Sequence, residues 1–292
     1  CVDSELCLKT GKCTEHEDGY CVATEDTACR ASENCDVFGL CFADGIKCIA
    51  TLDEDCLAAD TCLFDGYCGA EDGICIAETN AGCLASKTCQ DDGNCTAIDG
   101  QCIAQTDSDC LQSALCKEQG QCHVKLGLCV AASDEGCAQS LACLEEGYCQ
   151  VSGDECAALS DQGCQDSIRC AEEGYCTAKD GECVAGEDEG CQQSDACAVK
   201  GHCSALDGAC VAGETAACLA STQCGSLGYC TALDGACIAA TDADCEQSEA
   251  CVVDFYCVAA DGVCVPGSTE DCQQSQICKE FGKCTEKDGE CV

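Results

Sequence analysis

The sequence contains little of what builds an ordinary hydrophobic core. It has no methionine and no tryptophan, and aromatic residues make up only 4% of its 292 residues. Leu, Ile, Val and Phe together amount to about 16%, a share that in a strongly charged chain is typical of disorder. No apolar run approaches the roughly 18 residues that a spanning helix needs, so no membrane span is predicted. Something other than the burial of large side chains must therefore hold the fold.

Basic residues are equally scarce. Thirteen Lys and Arg stand against 55 Asp and Glu, which gives a formal net charge of −42. Nucleic acids and anionic membrane surfaces both attract basic patches, so this chain is expected to bind neither. A chain of this charge stays soluble and resists indiscriminate lateral association.

Cysteine is what the sequence has in excess, with 44 residues, or about 15%, against the roughly 8–10% that indicates a disulfide scaffold. So many thiols stay paired only outside a reducing cytosol, which predicts an extracellular or cell-surface location. The pattern C-x5-C-x5-C-x6-C recurs with a period of 27 residues, with one extra residue before Cys21. Residues 1–292 are thus predicted to form one continuous array of eleven repeats. The repeats begin at Cys1, Cys29, Cys56, Cys83, Cys110, Cys137, Cys164, Cys191, Cys218, Cys245 and Cys272.

The start of the chain carries one further expectation. It opens on a repeat cysteine, without a methionine and without a signal-peptide pattern. This start is expected of a segment of a longer array or of a processed form.

Each repeat reads as one short helix followed by a β-hairpin. A glycine four residues after the second cysteine, as at Gly174, Gly201 and Gly228, is expected to end the helix in the left-handed conformation. An Asp-Gly pair such as Asp234-Gly235 predicts the hairpin turn. The helix is expected to begin at an N-cap residue three positions before the first cysteine. These predicted N-caps are Asp26, Asp53, Asn80, Asp107, Asp134, Asp161, Asp188, Thr215, Asp242 and Thr269.

The disulfide pairing can be narrowed by geometry. On a helix, the first two cysteines of a repeat would lie about 9 Å apart along the axis, too far to bond each other. A hairpin that folds back from the helix end brings the third cysteine near the second and the fourth nearer the first. First-to-fourth and second-to-third pairing is therefore favoured, as in Cys218–Cys237 and Cys224–Cys230. A link from the fourth cysteine to the next repeat, such as Cys237–Cys245, stays open because connectivity does not follow from sequence alone.

A single repeat is too small to bury a core, so neighbouring repeats are expected to stack as a solenoid. The predicted fold class is a small disulfide-rich α/β repeat, a solenoid of eleven units with a short helix and a β-hairpin in each. At about 10 Å per stacked layer, the array would make a rod on the order of 110 Å long.

No catalytic or metal site is predicted, so the protein is expected not to be an enzyme. Metal-binding cysteines cluster at C-x2-C to C-x4-C spacing, and the sequence has neither C-x-C nor C-x-x-C. Its three histidines, His16, His123 and His202, share no position in the repeat and are expected to be surface residues. No cofactor is predicted. Calcium at Thr241-Asp242-Ala243-Asp244 or its equivalents is an alternative, and no EF-hand or nonapeptide loop pattern supports it.

A serine column runs through the repeats, three residues after the first cysteine, in ten of the eleven. Its members are Ser4, Ser32, Ser86, Ser113, Ser140, Ser167, Ser194, Ser221, Ser248 and Ser275. The favoured interpretation is a small residue that permits close helix packing, or a hydroxyl that bonds to the preceding turn. A row of glycan attachment points along one face is the alternative.

The tenth repeat departs from the others by an apolar cluster where they carry Lys, Glu and Gly. The cluster comprises Val252, Val253, Phe255, Tyr256 and Val258. On an acidic surface, such a cluster is a candidate contact patch for a partner. The alternative is a locally richer core with no partner.

In the form CxxSxxCxxxGxCTAxDGxCVAxxDxD, the repeats resemble the cysteine-rich tandem repeats of predicted secreted or surface proteins of myxobacteria and related bacteria. The resemblance covers the whole chain, with departures at Phe255, Leu126 and Ser152-Gly153-Asp154. It implies a bacterial extracellular protein and no particular activity.

Together these features predict an extracellular structural protein, a disulfide-stapled rod that self-associates into filaments and forms or contributes to a fibre or surface stalk. One alternative is an adhesin or matrix-binding rod that uses one face of the array. Another is a protein that sequesters metals through thiols.

Overall fold

A computed structural model describes all 292 residues of the chain. Short helices and hairpins alternate throughout, and the chain divides into two compact bodies. The first body comprises Cys1–Leu141 with Gly153–Cys156, and the second comprises Ala142–Ser152 with Ala157–Val292. None of the helices combines the length and apolar character needed to cross a membrane.

Every repeat after the first contains two helices where the sequence predicted one. The helices that carry the first cysteines are α2 Asp26–Arg30, α4 Asp53–Ala58, α6 Asn80–Ala85, α8 Asp107–Leu111, α10 Asp134–Ala138, α12 Asp161–Gln165, α14 Asp188–Gln192, α16 Thr215–Ala220, α18 Asp242–Glu246 and α20 Thr269–Gln274. The helices that carry the second cysteines are α1 Glu5–Thr10, α3 Glu33–Phe38, α5 Asp60–Asp65, α7 Lys87–Asp92, α9 Ala114–Gln119, α11 Leu141–Glu146, α13 Ile168–Glu173, α15 Asp195–Lys200, α17 Thr222–Leu227, α19 Glu249–Asp254 and α21 Gln276–Phe281. Each pair breaks at the position of the serine column, which Ala59 occupies in the third repeat.

Each repeat continues into a two-stranded sheet. The strand pairs are β1 Thr14–Glu15 and β2 Cys21–Val22, β3 Phe42–Ala43 and β4 Cys48–Ile49, β5 Gly69–Glu71 and β6 Ile74–Ile76, β7 Thr96–Ile98 and β8 Gln101–Ile103, β9 His123–Lys125 and β10 Leu128–Val130, β11 Gln150–Ser152 and β12 Glu155–Ala157, β13 Thr177–Lys179 and β14 Glu182–Val184, β15 Ser204–Leu206 and β16 Ala209–Val211, β17 Thr231–Leu233 and β18 Ala236–Ile238, β19 Val258–Ala260 and β20 Val263–Val265, and β21 Glu286–Lys287 and β22 Glu290–Cys291. In the ninth repeat, Ala232 faces Cys237 across the antiparallel pair. Both residues of its Asp234-Gly235 turn have positive φ, 49° and 83°, as the tightest hairpin turns require.

The core consists of cystine and alanine. From the second repeat onward, the first cysteine is 0% exposed, as at Cys218. In the second body, Ala212, Cys218 and Cys237 form one buried cluster, against which Tyr229 and Ala232 pack. The predicted fold class, a small disulfide-rich α/β repeat, is confirmed.

Candidate functional site

The disulfide frame uses every cysteine, because all 44 are paired and none is free. Each repeat links its first cysteine to its fourth and its second to its third. Cys218 and Cys237 have Cα atoms 5.5 Å apart, and those of Cys224 and Cys230 are 4.6 Å apart. This is the pairing that the sequence favoured. The alternative link from Cys237 to the next repeat is not made, since that repeat's first cysteine bonds within its own repeat.

Glycine at the helix end brings the second and third cysteines together. Gly228 adopts a φ of 77°, and its N–H donates to the carbonyl of Cys224 over 3.0 Å. This left-handed residue ends α17 and reverses the chain, so Cys230 returns onto Cys224. Gly201 and Gly174 end their helices in the same way, with φ values of 73° and 81°.

The same glycines form a joint with the next repeat, which sequence reasoning missed. A Cβ added at Gly228 would lie 2.5 Å from the Sγ of Cys264 and 3.0 Å from the Cα of Cys245. The equivalent contact at Gly201 is with the Sγ of Cys237, at 2.6 Å. These distances leave no room for a side chain, so the helix end packs directly on the buried disulfide of the following repeat. At Gly282, an added Cβ meets nothing within 4 Å.

A backbone hydrogen bond supplies a second joint between repeats. The N–H of Ala212, just after β16, donates to the carbonyl of Gly235 in the next hairpin turn over 2.9 Å. Ala239 makes the same bond to Gly262, also over 2.9 Å. In the first body, the corresponding donors are Ala50, Ala77 and Ala104. The Asp-Gly turn therefore does more than close its own hairpin.

The predicted N-cap positions are wrong by one residue. Asp26, Asp53, Asn80, Asp107, Asp134, Asp161, Asp188, Thr215, Asp242 and Thr269 are the first helical residues, and the N-cap lies one position earlier. The side chain in this column instead fastens the helix to its own hairpin. Asp242 accepts a hydrogen bond over 2.9 Å from the N–H of Ala259, 17 residues later in β19. A strand edge has backbone donors that need partners, and this column provides one.

The residues of the calcium alternative are occupied by internal hydrogen bonds. Thr241 and Asp244 form a capping box at the start of α18. Asp244 Oδ2 accepts from the N–H of Ala240, from the N–H of Thr241 and from the hydroxyl of Thr231. No group of three or more His, Cys, Asp or Glu side chains is arranged to hold a metal ion.

A serine stands at the break between the two helices in every two-helix repeat but the third, where Ala59 takes its place and makes no side-chain cap bond. Ser221 is 6% exposed, and its Oγ donates to the carbonyl of Cys218 over 2.7 Å. The same Oγ accepts from the N–H of Cys224 over 3.2 Å, which makes Ser221 the N-cap of α17. Ser248 is fully buried with the same two bonds. Ser221 and Ser248 thus bond to the preceding turn and cap the following helix, as the favoured interpretation expects, and the glycan alternative stays a prediction.

The apolar cluster of the tenth repeat is partly exposed. Val252 is 74% exposed, Val253 36% and Val258 37%, while Phe255 and Tyr256 are half-buried. Burial is the main cause that raises the pKa of Tyr256 above its usual value. Phe255 takes the place of the helix-ending glycine and adopts a φ of 60°.

The joint that follows the tenth repeat lacks both the helix-ending glycine and the donating alanine of the other joints. Phe255 stands where the other repeats have glycine, and Pro266 stands where they have the donating alanine. Because proline has no N–H, Pro266 cannot donate to the carbonyl of Gly289 in the next turn. Two unrelated columns are therefore broken at one joint.

Shallow surface grooves recur between repeats, each lined by a second-to-third disulfide. The groove beside the Cys116–Cys122 disulfide also contains His123 and Ser133. His123 Nδ1 lies 3.1 Å from Asp107 Oδ2, and His123 Nε2 lies 3.2 Å from Ser133 Oγ. The backbone N–H of Val124 is the main cause that lowers the pKa of Asp107, followed by the hydrogen bond from His123.

Sequence reasoning missed this three-residue cluster, because His123 is 16 residues from one partner and 10 from the other. Those separations match no motif. Only the hairpin and the stacking of the next repeat bring the three side chains together.

Comparisons with family models, with curated proteins and with solved structures found no match to this chain. The resemblance to myxobacterial repeats therefore stays a prediction, and the candidate function is argued from the geometry alone.

Proposed function

We propose that the chain is an extracellular structural protein, a disulfide-stapled element of a fibre, filament or surface stalk that self-associates. The observation that carries the proposal is the frame itself. Every cysteine is bonded within its own repeat. Around this frame, the recurring serine caps a helix, the recurring Asp bonds to the hairpin, and the recurring glycine packs on the next repeat. The pairing of so many cysteines supports an oxidising location outside the cell.

The physical role of the frame is resistance to unfolding and proteolysis. Each first-to-fourth link closes a loop with a sequence separation of 19, or 20 in the first repeat, and each second-to-third link closes one of 6. In the chain-entropy account, such links stabilise by about 3 and about 2 kcal/mol, respectively, by restricting the unfolded chain. These terms offset the shortage of large apolar side chains.

The test is intact mass with and without reduction and alkylation under metal-retaining conditions, followed by electron microscopy of the oxidised protein. The structural proposal expects every cysteine to be blocked until reduction, no metal to travel with the protein, and filaments to form. Free thiols or bound metal would instead favour sequestration. Thiol sequestration has no support from the geometry, because it needs thiols that the frame has consumed.

A binding role is the second candidate, and one observation favours it. Leu57, Leu84 and Leu111 occupy the same position in three consecutive repeats of the first body and are 60%, 53% and 59% exposed. Apolar side chains repeated on an acidic surface suit an adhesin or matrix-binding protein. Saturable binding by isolated, unassembled chains would favour this candidate over the fibre.

A further inference from the structure

The groove beside the Cys116–Cys122 disulfide contains an arrangement found nowhere else in the array. Asp107, His123 and Ser133 come from the first helix of the fifth repeat, its hairpin and the start of the sixth repeat. The imidazole joins the two others in a line, with the carboxylate on Nδ1 and the hydroxyl on Nε2. A nucleophile, a base and a group that orients the base have this order in acyl-transfer sites.

Helix capping does not account for the histidine. Ser133 caps α10 by accepting the N–H of Gly136 over 3.2 Å. Ser268 occupies the same position five repeats later and caps α20 by accepting from the N–H of Asp271 over 3.3 Å, while its hydroxyl donates to the Asp271 carboxylate over 2.9 Å. The residue there that corresponds to His123 is Val258. A serine cap in this fold therefore needs no imidazole, and the His123 contact is an addition to it.

We propose that Asp107, His123 and Ser133 form an acyl-transfer site in which Ser133 is the nucleophile. Ser133 Oγ attacks the carbonyl carbon of an ester, and its proton passes to His123 Nε2. The new Oγ–C bond forms as the ester C–O bond breaks, and the leaving alkoxide takes the proton from His123. The products are an alcohol and acylated Ser133, which water then hydrolyses to a carboxylic acid and free Ser133. Asp107 is a positioning residue that holds the imidazole in the tautomer with its proton on Nδ1.

The groove indicates the class of ester. One wall is apolar, formed by Leu111 and the Cys116–Cys122 disulfide, and Lys117 and Glu135 also line it. It lies open at the surface, so it suits a small or extended apolar acyl group more than a bulky, enclosed one. This inference is independent of the structural role proposed above, since a filament subunit could carry the site.

The experiment treats the full-length, oxidised chain with a fluorophosphonate probe, which leaves a stable adduct on activated serines, and maps the adducts by peptide mass spectrometry. Ser268 is the control within the same molecule, because it is a serine cap whose hydroxyl donates to the Asp271 carboxylate and has no histidine partner. Ser133 is expected to react about 100-fold faster than Ser268, the contribution typical of a positioned general base. Equal reaction at Ser133 and Ser268 would overturn the proposal.

Two variants separate chemistry from folding, because each introduces a residue that other repeats already carry. His123→Thr matches Thr177 and Thr231, and it should lower the Ser133 rate to that of Ser268. Asp107→Asn matches Asn80, whose side chain makes the same bond to its hairpin over 2.9 Å, so the fold contact is retained.

Asp107→Asn should lower the maximal labelling rate of Ser133 without changing its dependence on probe concentration, which a purely structural role would not do. A Ser133 rate unchanged in both variants would refute the roles given to His123 and Asp107. Intact mass, with all cysteines still blocked, verifies that each variant has folded.

Discussion

Replacing Gly228 with alanine tests whether the glycine column is a joint between repeats or only a helix terminator. The φ of Gly228 is 77°, and an added Cβ would lie 2.5 Å from the Sγ of Cys264 and 3.0 Å from the Cα of Cys245. Gly282→Ala is the matched control within the same chain. Its φ is nearly the same, at 72°, but an added Cβ there meets nothing within 4 Å.

The difference between the two variants isolates the steric term. Both place alanine in the left-handed conformation, which costs about 1 kcal/mol. Only Gly228→Ala also forces a methyl group against a disulfide and a backbone atom, and overpacking of this kind costs about 1–3 kcal/mol. The free energy of opening the backbone around the substituted residue should therefore fall by about 2–4 kcal/mol for Gly228→Ala and by about 1 kcal/mol for Gly282→Ala.

Native-state amide hydrogen exchange, read by mass spectrometry with the disulfides intact, measures local opening at each of the two helix ends. It is preferable to a global unfolding curve because repeat arrays depart from two-state behaviour. Exchange around the substituted residue should accelerate about 10- to 100-fold more for Gly228→Ala than for Gly282→Ala. If both variants accelerate exchange equally, the steric argument is wrong and the column serves backbone conformation alone.

Three further substitutions address the other columns by the same exchange measurement. Ser221→Ala removes the cap of α17 and should destabilise that helix by about 1 kcal/mol. Ser221→Thr should retain most of the stability, because it keeps the hydroxyl. Equal losses in the two variants would show that the hydroxyl does not stabilise the helix. Asp242→Ala leaves the N–H of Ala259 without its partner and should cost about 1 kcal/mol of local stability. Asp242→Asn keeps an acceptor oxygen and should cost little. An equal loss of stability with Asn would show that the charge, and not the hydrogen bond, stabilises this contact. Pro266→Ala supplies a donor for the carbonyl of Gly289 and should slow exchange in the eleventh repeat by about fivefold; unchanged exchange would mean that this bond contributes nothing to the joint.

Cysteine spacing was sufficient to predict the repeat, the hairpin and the favoured pairing, because each follows from local geometry. A separation of six is too long for a disulfide along a helix and becomes short once Gly228 reverses the chain. The Asp234-Gly235 turn is equally local, since the two positive φ values belong to these two residues. Local rules of this kind need no knowledge of neighbouring repeats.

The roles that could not be predicted depend on contacts distant in sequence. An Asp three residues before a helical cysteine suits an N-cap, and only the hairpin's return shows that Asp242 bonds 17 residues ahead. A serine such as Ser221 is compatible with a continuous helix. Only the structure shows that the helix is interrupted there and that the hydroxyl bonds to Cys218 and Cys224 on either side. No sequence motif predicted the contacts of His123, because its partners Asp107 and Ser133 lie 16 and 10 residues away at the starts of different helices.

Side-chain exposure bears on both interpretations of the tenth repeat. A locally richer core would bury its extra apolar side chains, yet Val252 is 74% exposed and Val258 and Val263 are 37% and 41% exposed. The columns that depart in this repeat, at Phe255 and Pro266, are those that make the joint with the next repeat elsewhere in the array. The tenth repeat therefore combines exposed valines with the half-buried Phe255 and Tyr256 beside an altered joint, and the contact patch stays a prediction.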